Sequence, residues 1–325
     1  MTDAIESWID ADPEAGIAAA FVGSGRAQFR CAGSFAGDAV TPHTVWPVAS
    51  LSKPVFAYGV LLLAQAGLLE LDESLTPWLP DDVRHADPTG GFTARRALAH
   101  TTGLPNWRGP DGLSALYPPG ERFSYSTEGL YGLQQALERR LGQPVAKLLD
   151  QKVFAPLGMR QSALVAETAE TISPALAFTL NAQPAIAGLS LRTSAADYAR
   201  FLAAQWNDGE PGHLRGQWQR TMLAPQVRVA DRDSLWWGLG WGLQVTADGP
   251  ASFWHWGARG IPRVMSFAVG WPAQRRGAVV MTSHPDGLVL CREVLREAFP
   301  DNPLPAFDWL LPPQHWRADG LRPAT

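Results

Sequence analysis

Cysteine is nearly absent from this 325-residue chain: Cys31 and Cys291 stand alone and far apart. Two such residues build neither a disulfide framework nor a metal-ligand cluster. They form either one long-range bridge or two thiols that serve as small core hydrophobes. Lysine is almost as scarce, with only Lys53, Lys147 and Lys152; the other cations are arginines. Positive charge is not in excess, because 27 basic side chains face 31 acidic ones for a net charge of -4. Nucleic acid is therefore not an expected partner. Long apolar runs are also missing. The longest, over 60–71, is interrupted by Gln65, Gly67 and Glu70 and is too short to cross a bilayer. The N-terminus carries Asp3, Glu6, Asp10, Asp12 and Glu14 and lacks the basic and apolar regions of a secretory signal. The expectation is a cytoplasmic location with no membrane partner.

Several chemistries are excluded by missing motifs. The chain has no G-x-S-x-G nucleophile elbow, no H-E-x-x-H and no Cys/His pair at zinc spacing. It has neither a Walker A loop nor G-x-G-x-x-G; Gly238-x-Gly240-x-Gly242 has the wrong spacing. His284 and Asp286 flank Pro285, but two ligands do not make a metal site. No cofactor and no metal are expected.

What is present is a globular composition, with 46% hydrophobic and 18% charged residues. The length allows two domains or one domain with two lobes. A hairpin is predicted from 16–22 and 27–32 around the Gly23-Ser24-Gly25 turn. A helix is predicted from Ser50 to Leu69, with Ser50 at its start and Pro54 in its first turn. Further helices are expected over 94–99, 127–141, 144–153 and 194–206, each opening near Ser, Thr or Pro. Strands are expected over 238–245, 252–256, 263–269 and 277–281, followed by a helix over 286–299. The tail after Pro300, with Phe307, Trp309 and Trp316, is expected to pack in irregular form. Strands at both ends and helices between predict an α+β fold. Its antiparallel sheet joins the N- and C-terminal strands and carries a helical lobe. The whole chain, 1–325, is read as one domain. Its sheet lobe comprises about 1–58 and 238–325, and its helical lobe about 59–237.

Three groups of residues carry chemistry. In Ser50-Leu51-Ser52-Lys53, positions i and i+3 share a helix face, so the lysine amine can reach the serine hydroxyl. Serine needs a nearby base to become a nucleophile, and a lysine whose charge is disfavoured by burial can be one. A chain with this composition holds such a pair by chance about one time in six, so a capped helix with a surface lysine is the competing reading. Tyr125 stands at the end of an extended piece before a helix. It can share a proton with Lys53 or be a packing residue. In His255-Trp256-Gly257-Ala258 a strand edge can offer an N–H to an oxyanion, or the histidine can be structural. Trp107 and Trp237, in loop-like stretches, are candidates for lining a pocket or for the core.

The ordered set is more specific than any member. Ser50-x-x-Lys53 is followed by His100-Thr101-Thr102-Gly103-Leu104-Pro105, then Pro119-Gly120 with Phe123-x-Tyr125-Ser126. Next come Phe154-x-Pro156-Leu157-Gly158-Met159 and Ala187-Gly188-Leu189 before Asp197, Ala199 and Arg200. Gly238-Leu239-Gly240-Trp241 and His255-x-Gly257 close the series. Over about 15–300 the chain resembles the serine beta-lactamase-like hydrolases: class C beta-lactamases, DD-peptidases, D-aminopeptidases and family VIII carboxylesterases.

The resemblance implies Ser50 as the acylated nucleophile, Lys53 as its helix partner and Tyr125 as general base. It implies His255 in the place of the third-motif basic residue, and an oxyanion hole from the N–H groups of Ser50 and Ala258. Substrate would meet Thr127, Trp256, Gly257, Trp107 and Trp237. Two departures bear on the substrate. Thr127 stands where the family carries Asn, and threonine cannot offer an amide donor and acceptor together. Trp256 stands where beta-lactamases carry a small hydroxyl residue. The expectation is hydrolysis of small or aromatic carboxylic esters through an acyl-enzyme. Amidase, D-aminopeptidase, acyltransferase or weak beta-lactamase action at the same site is the alternative, and a non-catalytic binding protein is the remote one. The partner is a small-molecule ester or amide; the oligomeric state is left open.

Overall fold

The computed structural model describes residues 3–23, 25–87, 89–166, 185–207, 210, 212–229 and 233–311. Its frame is an antiparallel sheet whose strands come from the two ends of the chain. They are β1 Gly16–Gly23, β2 Arg26–Phe35, β3 Asp38–Ala39, β4 Trp46–Pro47, β5 Ala163–Leu164, β6 Leu191–Thr193, β7 Val227–Arg228, β8 Leu235–Trp237, β9 Gly242–Thr246, β10 Gly249–Arg259, β11 Val264–Trp271 and β12 Arg276–Thr282. Nine of them run in the order β3-β2-β1-β12-β11-β10-β9-β8-β7, and β4, β6 and β5 form a small separate sheet. The two ends of the chain meet where β1 pairs with β12, from Ile17 opposite Thr282 to Val22 opposite Gly277. The sheet also takes in β7 and β8, upstream of the Gly238 start expected from sequence.

Period-two alternation assigns each strand to two cores. Ala18 and Ala20 of β1, with Val279 and Met281 of β12, face one hydrophobic cluster; Ile17, Ala19, Ala278 and Val280 face the other. The first cluster holds the helical middle, which follows a first helix, α1 Asp3–Ala11: α2 Ser52–Gln65, α3 Asp81–Ala86, α4 Ala94–Leu98, α5 Thr127–Leu141, α6 Val145–Leu149, α7 Ala195–Ala203 and α8 Gly216–Met222. The second is closed by terminal helices: α1 Asp3–Ala11, α9 Gly287–Ala298 and α10 Ala306–Leu310. Cys291 is buried in that second cluster, whereas half-buried Cys31 packs on the first. Both thiols are free, because the sheet stands between them.

Two terminal helices were not expected. In α1, Ile5, Trp8 and Ile9 fall three and four apart and pack on the second core, with Trp8 edge-on to His284 at 4.8 Å. The many acids of this segment hide that stripe in the sequence. The tail is not irregular as far as Leu311: Phe307 of α10 stacks on Phe267 at 4.3 Å. Trp316 lies outside the described residues. The 144–153 helix divides into α6 and a π-type turn over Asp150–Phe154.

Candidate active site

Ser50 lies in a 3-10 turn, Ala49–Leu51, that leads into α2. Ala49 has a φ of +47°, a left-handed conformation that costs a non-glycine residue about 1–2 kcal/mol. The N-cap of α2 is Leu51 and no side chain caps it, so the Ser50 hydroxyl is not spent on the helix. Ser52 fastens the turn instead, donating to the Ala49 carbonyl and accepting from the Leu191 N–H at 3.0 Å.

Lys53, in the first turn of α2, is fully buried. Its Nζ lies 2.9 Å from Ser50 Oγ and 2.8 Å from the Gly188 carbonyl. Burial pushes its pKa down to about 7, because desolvation disfavours the ammonium. As an ammonium Lys53 donates to both oxygens; as a neutral amine it can donate to Gly188 and accept the serine O–H.

Tyr125 is placed by the start of α5. Ser126 caps that helix through the Gly129 N–H at 2.8 Å and donates to the Pro105 carbonyl at 2.8 Å. This double anchor holds the phenol over Lys53, whose Nζ is 5.0 Å from the ring centroid. Burial pushes the Tyr125 pKa up well beyond the usual phenol range, opposed only in part by its neighbour Ser50. The hydroxyl is close enough to Ser50 to feel it, yet is buried without a well-formed hydrogen bond among the described residues.

Two histidines flank the phenol. His255 on β10 is fully buried, and its Nδ1 lies 2.7 Å from the Trp256 carbonyl. Burial, then the charge of Lys53, lowers its pKa to about 3 against the pull of that carbonyl. It is thus neutral, with the proton on Nδ1 and a lone pair on Nε2. His100, which sequence reasoning placed in a motif without a role, is tilted on Tyr125 at 4.5 Å between ring centroids. Its Nδ1 accepts from the Ser126 N–H at 3.0 Å. Burial holds its pKa well below the ordinary value. The pairing leaves the proton on Nε2.

The strand edge beside Ser50 is not paired along its whole length. β9 ends at Gly242, opposite Trp254, so among the described residues no strand covers β10 from His255 to Arg259 on that side. The Ala49–Leu51 turn lies there instead. A Cβ on Gly257 would fall 2.1 Å from the Val48 carbonyl oxygen; only glycine permits this approach, which brings Ala258 alongside the turn.

The remaining candidates are divided. Trp107 is half-buried and packs with Tyr131 on Ala49, Ile186 and Leu189. Its loop is held to α5 by Arg108, which grips buried Glu128 at 2.7 and 3.1 Å. Trp237 is fully buried, beneath the site and not at its surface; it contacts His255 at 5.4 Å and Tyr125 at 5.8 Å. Trp256 is 6% exposed, enclosed by Tyr125 at 5.1 Å and by Trp309 of α10 at 5.5 Å. Thr127 is buried too. Its Oγ1 donates to Asn106 Oδ1 at 2.9 Å, and its N–H reaches the same atom at 3.1 Å. An amide therefore stands beside the position where the sequence showed none.

Known proteins resemble this chain in sequence and in fold. The sequence profile of the Beta-lactamase family matches residues 5–293. The chain belongs to the beta-lactamase family. Penicillin-binding protein 4* of Bacillus subtilis (strain 168) is 30% identical over 142 residues, covering 37% of this chain and 30% of the relative. Esterase EstB of Burkholderia gladioli is 31% identical over 167 residues, 42% of each chain. The matches thus span less than half the length of these two relatives. A beta-lactamase/D-alanine carboxypeptidase structure from Pseudomonas syringae superposes with a TM-score of 0.73 at 15% identity, covering 93% of this chain and 98% of that one. This likeness shows the beta-lactamase/transpeptidase-like fold.

Family membership explains the order of the motifs, but not Asn106, Trp309 or the carbonyl of Gly188, which sequence reasoning missed as site groups. The Ala187-Gly188-Leu189 motif was visible; that the Gly188 backbone oxygen holds Lys53 was not. No helix among the described residues is long and apolar enough to cross a membrane.

Proposed function

We infer that this beta-lactamase-family protein is a serine hydrolase that cleaves small or aromatic carboxylic esters through an acyl-enzyme on Ser50. The observation that carries the reading is the buried Lys53 Nζ, 2.9 Å from Ser50 Oγ with a pKa lowered to about 7. Near neutral pH a large share of Lys53 is uncharged and can take the serine proton as Oγ attacks the substrate carbonyl. This moves the base role from Tyr125, expected from the resemblance, to Lys53. A phenol with a raised pKa is a poor base but a competent donor. Tyr125 passes its proton to the departing alkoxide and is reprotonated from Lys53. Water then attacks the acyl-enzyme, releasing the acid and restoring Ser50. The N–H groups of Ser50 and Ala258 stabilise the oxyanion, a contribution of about 3–4 kcal/mol per donor in comparable sites.

Neutral His255 supports a neutral substrate. Where a cation would meet a substrate carboxylate, this protein offers an imidazole with a pKa of about 3 and the enclosed indole of Trp256. The name of the Burkholderia gladioli relative, an esterase, agrees.

A fluorophosphonate should add its mass to Ser50, and Ser50→Ala should abolish both labelling and turnover. p-Nitrophenyl esters should be cleaved with a higher kcat/KM than D-amino acid amides or nitrocefin. Labelling that persists in Ser50→Ala, or an amide or beta-lactam cleaved faster than every ester, would sink the reading. Asn106 favours a second one, amide hydrolysis, because its carboxamide can meet a substrate amide. If that reading holds, Asn106→Ala lowers kcat/KM for amides at least 10-fold more than for esters; equal losses leave the ester reading standing.

A further inference from the structure

Away from Ser50 the protein carries a cavity of about 780 Å³ between the β1–β2 hairpin and α7. Small residues make its floor. Ala196, Ala199 and Ala203 lie three and four apart and so share one face of α7. That helix lies over β1 and β2, and its alanines leave a trough lined also by Phe29 and Trp206.

The rim has the opposite character. Arg26, Arg200 and Arg275 line it, and Arg160 lines an adjoining cavity of about 490 Å³ that shares His43 and Arg200 with the first. Four arginines gather here on a chain of net charge -4. The lining carboxylate, Asp197, is fully buried and already occupied by the Gln161 N–H at 2.7 Å, Ser162 Oγ at 2.9 Å and Arg200 at 3.0 Å. Among the described residues no carboxylate pairs with Arg26, Arg160 or Arg275. Arg275 is held in place by a hydrogen bond to Asn207 Oδ1 at 3.0 Å, on a backbone with φ +49°. That conformation ends the 3-10 turn Pro272–Gln274, with the Arg275 N–H bonded to the Pro272 carbonyl.

We propose that this cavity binds an amphipathic organic anion, its carboxylate or phosphate head among the arginines and its alkyl or aryl body on the alanine and aromatic floor. The volume is that of a small-molecule site, and guanidinium groups match oxyanions in shape and charge. The cavity shares no residue with the Ser50 group.

Isothermal titration tests this on the full chain, with Ser50 first capped by a fluorophosphonate. Decanoate and decyl phosphate are the two anionic probes; decanol and decyltrimethylammonium are the neutral and cationic counterparts. One saturable site is expected for at least one anion. Arg26→Glu combined with Arg275→Glu should weaken it about 10-fold or more; both positions are exposed, so an unchanged melting curve is expected. Ala199→Phe, which fills the trough, should weaken it independently. The proposal falls if neither anion binds, if the charge reversals leave affinity unchanged, or if decanol binds as tightly. It also falls if capping abolishes binding, which would locate the ligand at Ser50. Should Ser50 resist capping, the arginine variants locate the site on uncapped protein.

Discussion

Lys53 is the residue whose surroundings decide most. Its pKa, lowered from 10.5 to about 7 by burial, has two consequences of definite sign. In the proposed mechanism the neutral amine is the working form, so kcat/KM for an ester should rise as pH increases through about 7 and then level off. A profile flat between pH 6 and 8 would mean that Lys53 is not the group that takes the proton. The second consequence is for stability. The unfolded chain holds the lysine proton up to its ordinary pKa, whereas the folded chain loses it near 7. Between these values the unfolded state binds more protons, so wild-type stability gains with rising pH. At 1.36 kcal/mol per unit the gain is on the order of 4–5 kcal/mol. Lys53→Met has no such proton. Its stability relative to wild type, from urea unfolding, should therefore be most favourable at pH 6 and decline by several kcal/mol toward pH 10. A difference independent of pH would contradict a lysine buried at the cost of its charge.

At the scale of elements, the site depends on how closely β10 lies against the turn before α2. Gly257 sets that distance, since an added Cβ would stand 2.1 Å from the Val48 oxygen and 2.6 Å from Ser266 Oγ. The first neighbour is backbone and cannot swing away. Gly257→Ala should therefore push the strand from the turn and misplace the Ala258 N–H. We expect turnover to fall at least 100-fold, the scale of losing an oxyanion donor, with a stability loss of about 1–3 kcal/mol. Crystals of the variant should show β10 displaced at 257–258. Wild-type turnover in a folded Gly257→Ala protein would remove Ala258 from the oxyanion hole. These contacts also show what was legible. The i, i+3 spacing of Ser50 and Lys53 and the helix over 127–141 follow from local pattern. The pairing of Thr127 with Asn106 does not, because it depends on where the loop after His100 crosses the start of α5.

The whole molecule is two cores on one sheet, and the second is completed by the end of the chain. Phe307, 1% exposed, stacks on Phe267, while Trp309 rests on Trp256 at 5.5 Å. Phe307→Ala should cost about 3 kcal/mol, in the range for buried Phe truncation, measured by urea unfolding. It should also loosen Trp309 over Trp256 and change the ratio of kcat/KM for aryl and alkyl esters. A cost below about 1 kcal/mol would show that α10 is only loosely docked. Local pattern already carried the sequence of strands and helices behind the α+β organisation, because alternation and helical spacing are written into neighbouring residues; the order of the motifs marked the family by resemblance. Tertiary structure alone decided that the pKa values of Lys53 and His255 fall to about 7 and about 3, that Trp237 lies beneath the site, and that Asn106 stands beside Thr127. A pKa depends on the water excluded and on partners such as Gly188, which lies 135 residues from the lysine it holds. No short-range pattern encodes that distance.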